Sequence, residues 1–268
     1  MIIVDNIWKT FQDKAVLRGL SIEIHAGETL VILGRSGVGK SIFLKHLIGI
    51  EKPDSGTIDI DNTRVSELYG NKLYESMRSM GMLFQESALF DSMTVEENVA
   101  FHLTQHGNPL TREPYSVREI QERTYDALEM VGLIGSQRKM PEELSGGMKK
   151  RIGIARLLAY RPKYLLYDEP TAGLDPLTAM RINDVIIRTK KEMNVTSVVV
   201  THDMFSALYI GDRLALAEEG TIAYIDKPEK FLQSSHPTIV TLKKLMKNRR
   251  YANSVSYTHL RAHETSLH

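Results

Sequence analysis

Apolar residues recur along this chain with two periods. Unbroken runs such as Leu30-Val31-Ile32-Leu33, Tyr164-Leu165-Leu166-Tyr167 and the valine-rich stretch 197–202 read as buried strands. Residues 2–8, 21–25, 80–85 (ending in Gln85), 213–217 and 221–225 read as further short strands. Thr57-Ile58-Asp59-Ile60-Asp61 alternates as a half-buried strand does. From 86 to about 160 the texture turns helical. Val95, Val99 and His102-Leu103 share a face of a segment opened by Thr94. Ile120, Tyr125, Leu128 and Val131 share a face of another that ends near Gly132. Helices are also predicted over about 177–193 and over 237–247, the second with Ile239, Leu242, Leu245 and Met246 on its apolar side. Strands alternating with helices predict an α/β core with a parallel sheet covered on both faces, and the stretch 86–160 reads as a helical insertion within it. Beyond about Ala252 apolar periodicity is lost, and 252–268 is set aside as a non-native or disordered tail.

Composition narrows the function classes. With 34 Lys+Arg against 33 Asp+Glu, the net charge of +1 lacks the footprint of a general nucleic-acid binder. The absence of cysteine excludes disulfides, thiolate metal sites and a cysteine nucleophile, and agrees with a cytosolic setting. No apolar run approaches the roughly 18 residues of a membrane span, and the opening MIIVDNIWKTF lacks a signal-peptide layout. A role at a membrane would therefore run through a partner.

Candidate chemistry concentrates in three places. Gly34-Arg35-Ser36-Gly37-Val38-Gly39-Lys40-Ser41 fits G-x-x-x-x-G-K-[ST] between a strand and a helix beginning near Lys40. Gly34, Gly37 and Gly39 are expected to take backbone angles that other residues resist. Main-chain N–H groups and the helix N-terminus would then meet an anion, with Lys40 reaching the outer phosphates of a nucleotide and Ser41 ligating Mg²⁺. Asp168-Glu169 ends the run YLLY, which presents Asp168 as a metal ligand and Glu169 as a base for water. Leu144-Ser145-Gly146-Gly147-Met148 offers a second anion site, with Ser145 as N-cap and a helix from about Lys149 to Ala159. Phe11, placed in the loop after the first strand, could stack on an adenine or fill a core.

Taken together, these motifs resemble the ATP-binding subunit of an ABC (ATP-binding cassette) transporter over about residues 2–235. The resemblance implies a P-loop NTPase core (1–85 and 161–235) with an antiparallel β subdomain and an inserted α-helical subdomain (about 86–160), followed by a helical extension at 236–251. It further implies that Phe11 is the adenine-stacking aromatic and Gln85 a glutamine linking Mg²⁺ and water to the helical subdomain. Residues 144–148 match the signature, 172–175 with Asp175 the D-loop, and His202 the switch histidine. ATP and Mg²⁺ are the implied ligands. The implied partners are a second copy, closing head to tail so that Ser145, Gly146 and Gly147 meet its ATP, and a membrane permease, on the cytoplasmic face of the inner membrane.

Met148, where a glutamine is usual, followed by Lys149-Lys150-Arg151, resembles the Mla/Mce-type lipid-transport ATPases, as do 82–101 and 167–176. That likeness implies phospholipid cargo, an Mce-domain protein and a small accessory subunit. The alternatives are a neutral substitution in a small-solute importer, such as one for amino acids, and a non-transport ABC ATPase.

Overall fold

The computed structural model describes residues 1–108, 111 and 113–246; the tail set aside above lies outside them. The chain opens with a hairpin of β1 (Ile2–Phe11) and β2 (Lys14–Ile24). The turn at Gln12 and Asp13 has φ of 45° and 64°, the left-handed pair a two-residue hairpin requires. β4 (Ser55–Ile60) and β5 (Thr63–Arg64) complete an antiparallel sheet of order β2-β1-β4-β5. Phe11 is thus the last residue of β1, a correction to its expected place in the loop; the strand runs up to the tight turn.

A second sheet has the order β10-β9-β3-β8-β7-β6. β3 (Thr29–Leu33), β6 (Met80–Leu83), β7 (Tyr164–Asp168), β8 (Thr196–Thr201) and β9 (Arg213–Glu218) run parallel, while β10 (Thr221–Asp226) returns antiparallel through a short hairpin. The sheet is therefore mixed at one edge, not wholly parallel.

Strand alternation divides the interior into two cores. Leu30, Ile32, Tyr164, Leu166, Val198 and Val200 join β1, β2, β4 and α1 (Lys40–Leu47) in one. Val31, Leu33, Leu165, Tyr167 and Val199 point the opposite way, toward helices. Those helices are α3 (Val95–His106), α4 (Val117–Met130), α5 (Gly146–Leu158), α6 (Pro176–Met193) and α7 (Met204–Ile210). Between β5 and β6 in the chain, α2 (Gly70–Met77) has no fully buried residue, and Leu73 and Met77 pack partly against the core. α8 (Pro228–Gln233) and helical residues 237–246 close the described chain.

Local signals account for the helix starts. Thr94 and Ser116 form capping boxes with Glu97 and Glu119, and Asp175 accepts from the N–H groups of Leu177 and Thr178 ahead of Pro176. Two expected core residues are exposed: Tyr125 on α4, whose neighbours Thr124, Ala127 and Leu128 are buried instead, and Leu245. Each lies at the margin of its apolar stripe, which packing narrows. Among the described residues no helix is long and apolar enough to cross a membrane.

Candidate functional site

Topology assembles most of the site. β3, β8, β7 and β6 lie side by side and parallel, so their C-terminal ends share one edge, where α/β sheets place ligands. The register pairs Leu33 with Thr201, Asp168 with Val200 and Leu83 with Tyr167. Gly34, His202 and Glu169 therefore emerge together, one residue past their strands. β6 ends at Leu83, two residues before the expected Gln85, because the chain leaves the sheet at the exposed Phe84; Gln85 is exposed in the segment that follows. β8 likewise stops at Thr201, freeing His202 from the ladder.

The loop 34–41 has the expected left-handed angles at Gly37 (φ 83°) and Gly39 (φ 100°). Gly34 is needed for a different reason. It has no positive φ, but a Cβ there would sit 2.7 Å from the Ala217 carbonyl oxygen of β9. α1 starts at Lys40 with Gly39 as N-cap and no side chain bonded to its first N–H groups. The buried Lys40 ammonium donates to the carbonyls of Gly34 (2.8 Å) and Arg35 (3.0 Å) and lies 3.5 Å from Glu169 Oε1. Arg35 and Ser36 are exposed, and Val38 packs beneath the loop against the core.

Ser41 Oγ donates to Asp168 Oδ1 at 2.8 Å. Burial pushes the Asp168 carboxyl above its ordinary range; the Ser41 hydrogen bond opposes this, and the neighbouring Glu169 adds to it. Glu169 adopts φ 47°, and its Oε2 lies 2.9 Å from His202 Nδ1. One carboxylate is thus held between an ammonium and an imidazole. Ser41 Oγ and Asp168 Oδ1, in contact with each other, form an all-oxygen donor pair, which fits a hard cation such as Mg²⁺ that keeps part of its water shell.

The signature helix begins earlier than expected. α5 starts at Gly146, and Ser145 caps it by accepting from the Met148 N–H at 3.3 Å. Ser145 and Gly146 are exposed, whereas Gly147 is buried; a Cβ at 147 would lie 2.2 Å from Thr178 Cγ2 of α6. No hydrogen bond joins 145–147 to the loop 34–41 among the described residues. Asp175 is exposed and serves as the α6 cap; hydrogen bonds from Thr178 hold its carboxyl below the usual range. Phe11 is partly exposed, with Lys9 Nζ 5.2 Å from its ring centroid.

One contact was missed. The buried Lys150 donates from Nζ to the Glu169 carbonyl at 3.0 Å. Its position, three residues after Gly147 and four before Ile154 on the buried stripe of α5, was the available signal. Arg151 likewise turns inward, donating to the Val131 carbonyl at 3.0 Å, and Met148 packs on the helical core.

A family model described as ABC transporter matches residues 17–172. A probable ribonucleotide transport ATP-binding protein, mkl, of Mycobacterium leprae is 37% identical over 236 residues, which are 88% of this chain and 66% of that protein. The methionine import ATP-binding protein MetN of Carboxydothermus hydrogenoformans is 39% identical over 225 residues, 83% of this chain and 65% of that protein. The chain thus spans just under two thirds of the length of these curated relatives. Among solved structures, the dimeric ATP-binding cassette MJ0796 bound to ADP and Pi is similar at a TM-score of 0.77 and 32% identity, over 85% of this chain and 99% of that one. The cbiO1 protein of Clostridium perfringens, part of the cbiONQ complex, is similar at 0.79 and 30%, over 95% and 98%. The parallel P-loop core, the antiparallel sheet and the helical layer are those of this fold, and the chain belongs to the ABC transporter family as an ATP-binding P-loop NTPase subunit.

Proposed function

We propose that the chain hydrolyses ATP to drive import of a small solute, working as a head-to-tail homodimer on a separate membrane permease at the cytoplasmic face. The observation that carries the hydrolytic part is the Glu169 carboxylate, bonded to His202 and flanked by Lys40, beside the Asp168–Ser41 pair. A base for water must be aimed, and these two partners fix the direction of the carboxylate.

The phosphates of ATP bind along 34–41, where main-chain N–H groups and Lys40 neutralise them, and Phe11 stacks on the adenine. Mg²⁺, held by Ser41, Asp168 and Gln85, supplies charge neutralisation on the phosphate oxygens. Glu169 accepts a proton from the attacking water, and His202 holds that carboxylate in place while facing the terminal phosphate. Ser145, Gly146 and Gly147 of a second copy complete each site, with Asp175 at the junction; the exposure of Ser145 and Gly146 supports this. Residues 1–235 act as one domain, with the extension expected at 236–251 following it; of that extension, 247–251 lie outside the described residues.

The names of the curated relatives support a small polar solute over the lipid expected from the signature. The basic run behind that expectation has a local explanation: Lys150 and Arg151 satisfy the chain's own carbonyls, an arrangement independent of cargo.

In the Glu169→Gln variant, ATP binding is retained, gel filtration with ATP shifts to a dimer, and hydrolysis falls by at least about 100-fold. Hydrolysis near the wild-type rate would rule out Glu169 as the base. For the cargo, co-purification in gentle detergent should return a permease with a solute-binding protein. An Mce-domain protein with enriched phospholipid would establish the lipid reading instead.

A further inference from the structure

Glu169 is an unusual residue on which to hang a reaction, because its backbone sits at φ 47°, a region that residues with a Cβ resist. Something must hold it there. Its N–H donates to the Val200 carbonyl at 2.9 Å, and its own carbonyl accepts from the Ala172 N–H at 3.1 Å. The third hold comes from outside the turn: Lys150 Nζ, 3.0 Å from the same carbonyl. That ammonium is a costly group to bury. Desolvation lowers its pKa, opposed by the charges of Glu169 and Asp168. Lys150 sits on α5, the helix capped by Ser145, and the close approach of Gly147 to Thr178 presses that helix against α6.

We propose that Lys150 is a positioning residue: from the signature helix it fixes the Glu169 carbonyl, and with it the direction of the carboxylate, so each chain's signature is mechanically tied to its own hydrolytic site. The hydrogen bond from Lys150 goes to the Glu169 carbonyl, and Lys150 acts through that residue. A nucleotide of the partner subunit that engages Ser145 would load α5, and the buried ammonium carries that load to the turn at 169. The assignment rests on the hydrolytic role of Glu169 proposed above, but the clamp itself is a property of the nucleotide-free chain.

Two measurements separate the two ideas. Hydrogen–deuterium exchange of the nucleotide-free protein should show faster exchange across 169–173 in Lys150→Met. Exchange in α1 should be unchanged, and Lys150→Arg should restore protection because it keeps a cationic donor. Steady-state hydrolysis by Lys150→Met should lose about tenfold or more in kcat with KM for ATP within about twofold, again rescued by arginine. Wild-type exchange at 169–173 in Lys150→Met, or an unchanged kcat, would overturn the assignment. Faster exchange in Lys150→Met alongside a wild-type chain that does not hydrolyse ATP would preserve the clamp and sink the hydrolytic reading instead. Loss of both kcat and protection in the arginine variant as well would show a packing requirement, and the positioning role would fall.

Discussion

Lys40 and Gly34 show how single residues are constrained at the phosphate loop. The Lys40 ammonium is buried, and its partners are two loop carbonyls and Glu169, so it is already placed along the surface a polyphosphate would follow. Removing it in Lys40→Ala should weaken ATP binding by about 10- to 100-fold, the equivalent of about one charge-assisted hydrogen bond. Unchanged binding by calorimetry would contradict that role. Gly34 tests packing rather than charge. In Gly34→Ala the new methyl meets the backbone oxygen of Ala217, which cannot swing aside as a side chain could. The expected cost is about 1–3 kcal/mol of stability by urea unfolding, whereas relief by a small shift of β9 would show as no change.

Among the elements, α3 carries the clearest local code and the least legible contact. Its start is written in Thr94 and Glu97, whose reciprocal bonds satisfy the first N–H groups. Its middle holds His102, stacked on Tyr160 of the segment after α5 with ring centroids 4.0 Å apart, and with Nδ1 buried and unpartnered. Burial, aided by the charges of His106 and Arg78, lowers the His102 pKa from 6.5 to about 4. The unfolded chain therefore takes up this proton first. Stability from the neutral ring is fully present above pH 6.5 and is lost as pH falls toward about 4. His102→Phe keeps the stack and removes the proton, so its melting temperature should fall less between pH 6.5 and 4 than that of the wild type. Parallel pH profiles for the two proteins would exclude His102 as a source of acid lability.

For the whole molecule, the decisive relation is between the two sheets. Asp61, in the tight turn between β4 and β5, accepts from Tyr164 Oη and Lys163 Nζ, each at 2.6 Å, at the start of β7. Burial works against this carboxylate, but the hydrogen bonds from Lys163 and Tyr164 outweigh it and hold its pKa at about 2. Because the native value lies below the ordinary 3.8, the stabilisation is present above that pH and is lost as pH falls toward about 2. Asp61→Asn should therefore melt below the wild type at neutral pH, with the gap closing near pH 2. A gap independent of pH would show that the carboxylate's charge does not staple the sheets.

The amino-acid sequence alone determined the order of the motifs, the strands ahead of Gly34, Asp168-Glu169 and His202, and most helix starts, because these depend on residues within a few positions of one another. Glycines before Lys40, acids after YLLY and caps such as Thr94 are local chemistry that any tertiary setting must respect. Some elements left little trace. α2 is only eight residues long, lacks a side-chain cap and packs on the core through just Leu73 and Met77, and α7 is only seven residues long, although Asp203 caps it. The tertiary structure decided which strands are neighbours, and hence that Gly34, Gln85, Glu169 and His202 belong to one edge. It also decided that Gly34 and Gly147 are glycines because of Ala217 and Thr178 rather than φ, and that Lys150 serves Glu169 rather than solvent. Each of these is a contact between residues far apart in the chain. Periodicity reports which face is buried, whereas only packing reports what that face meets.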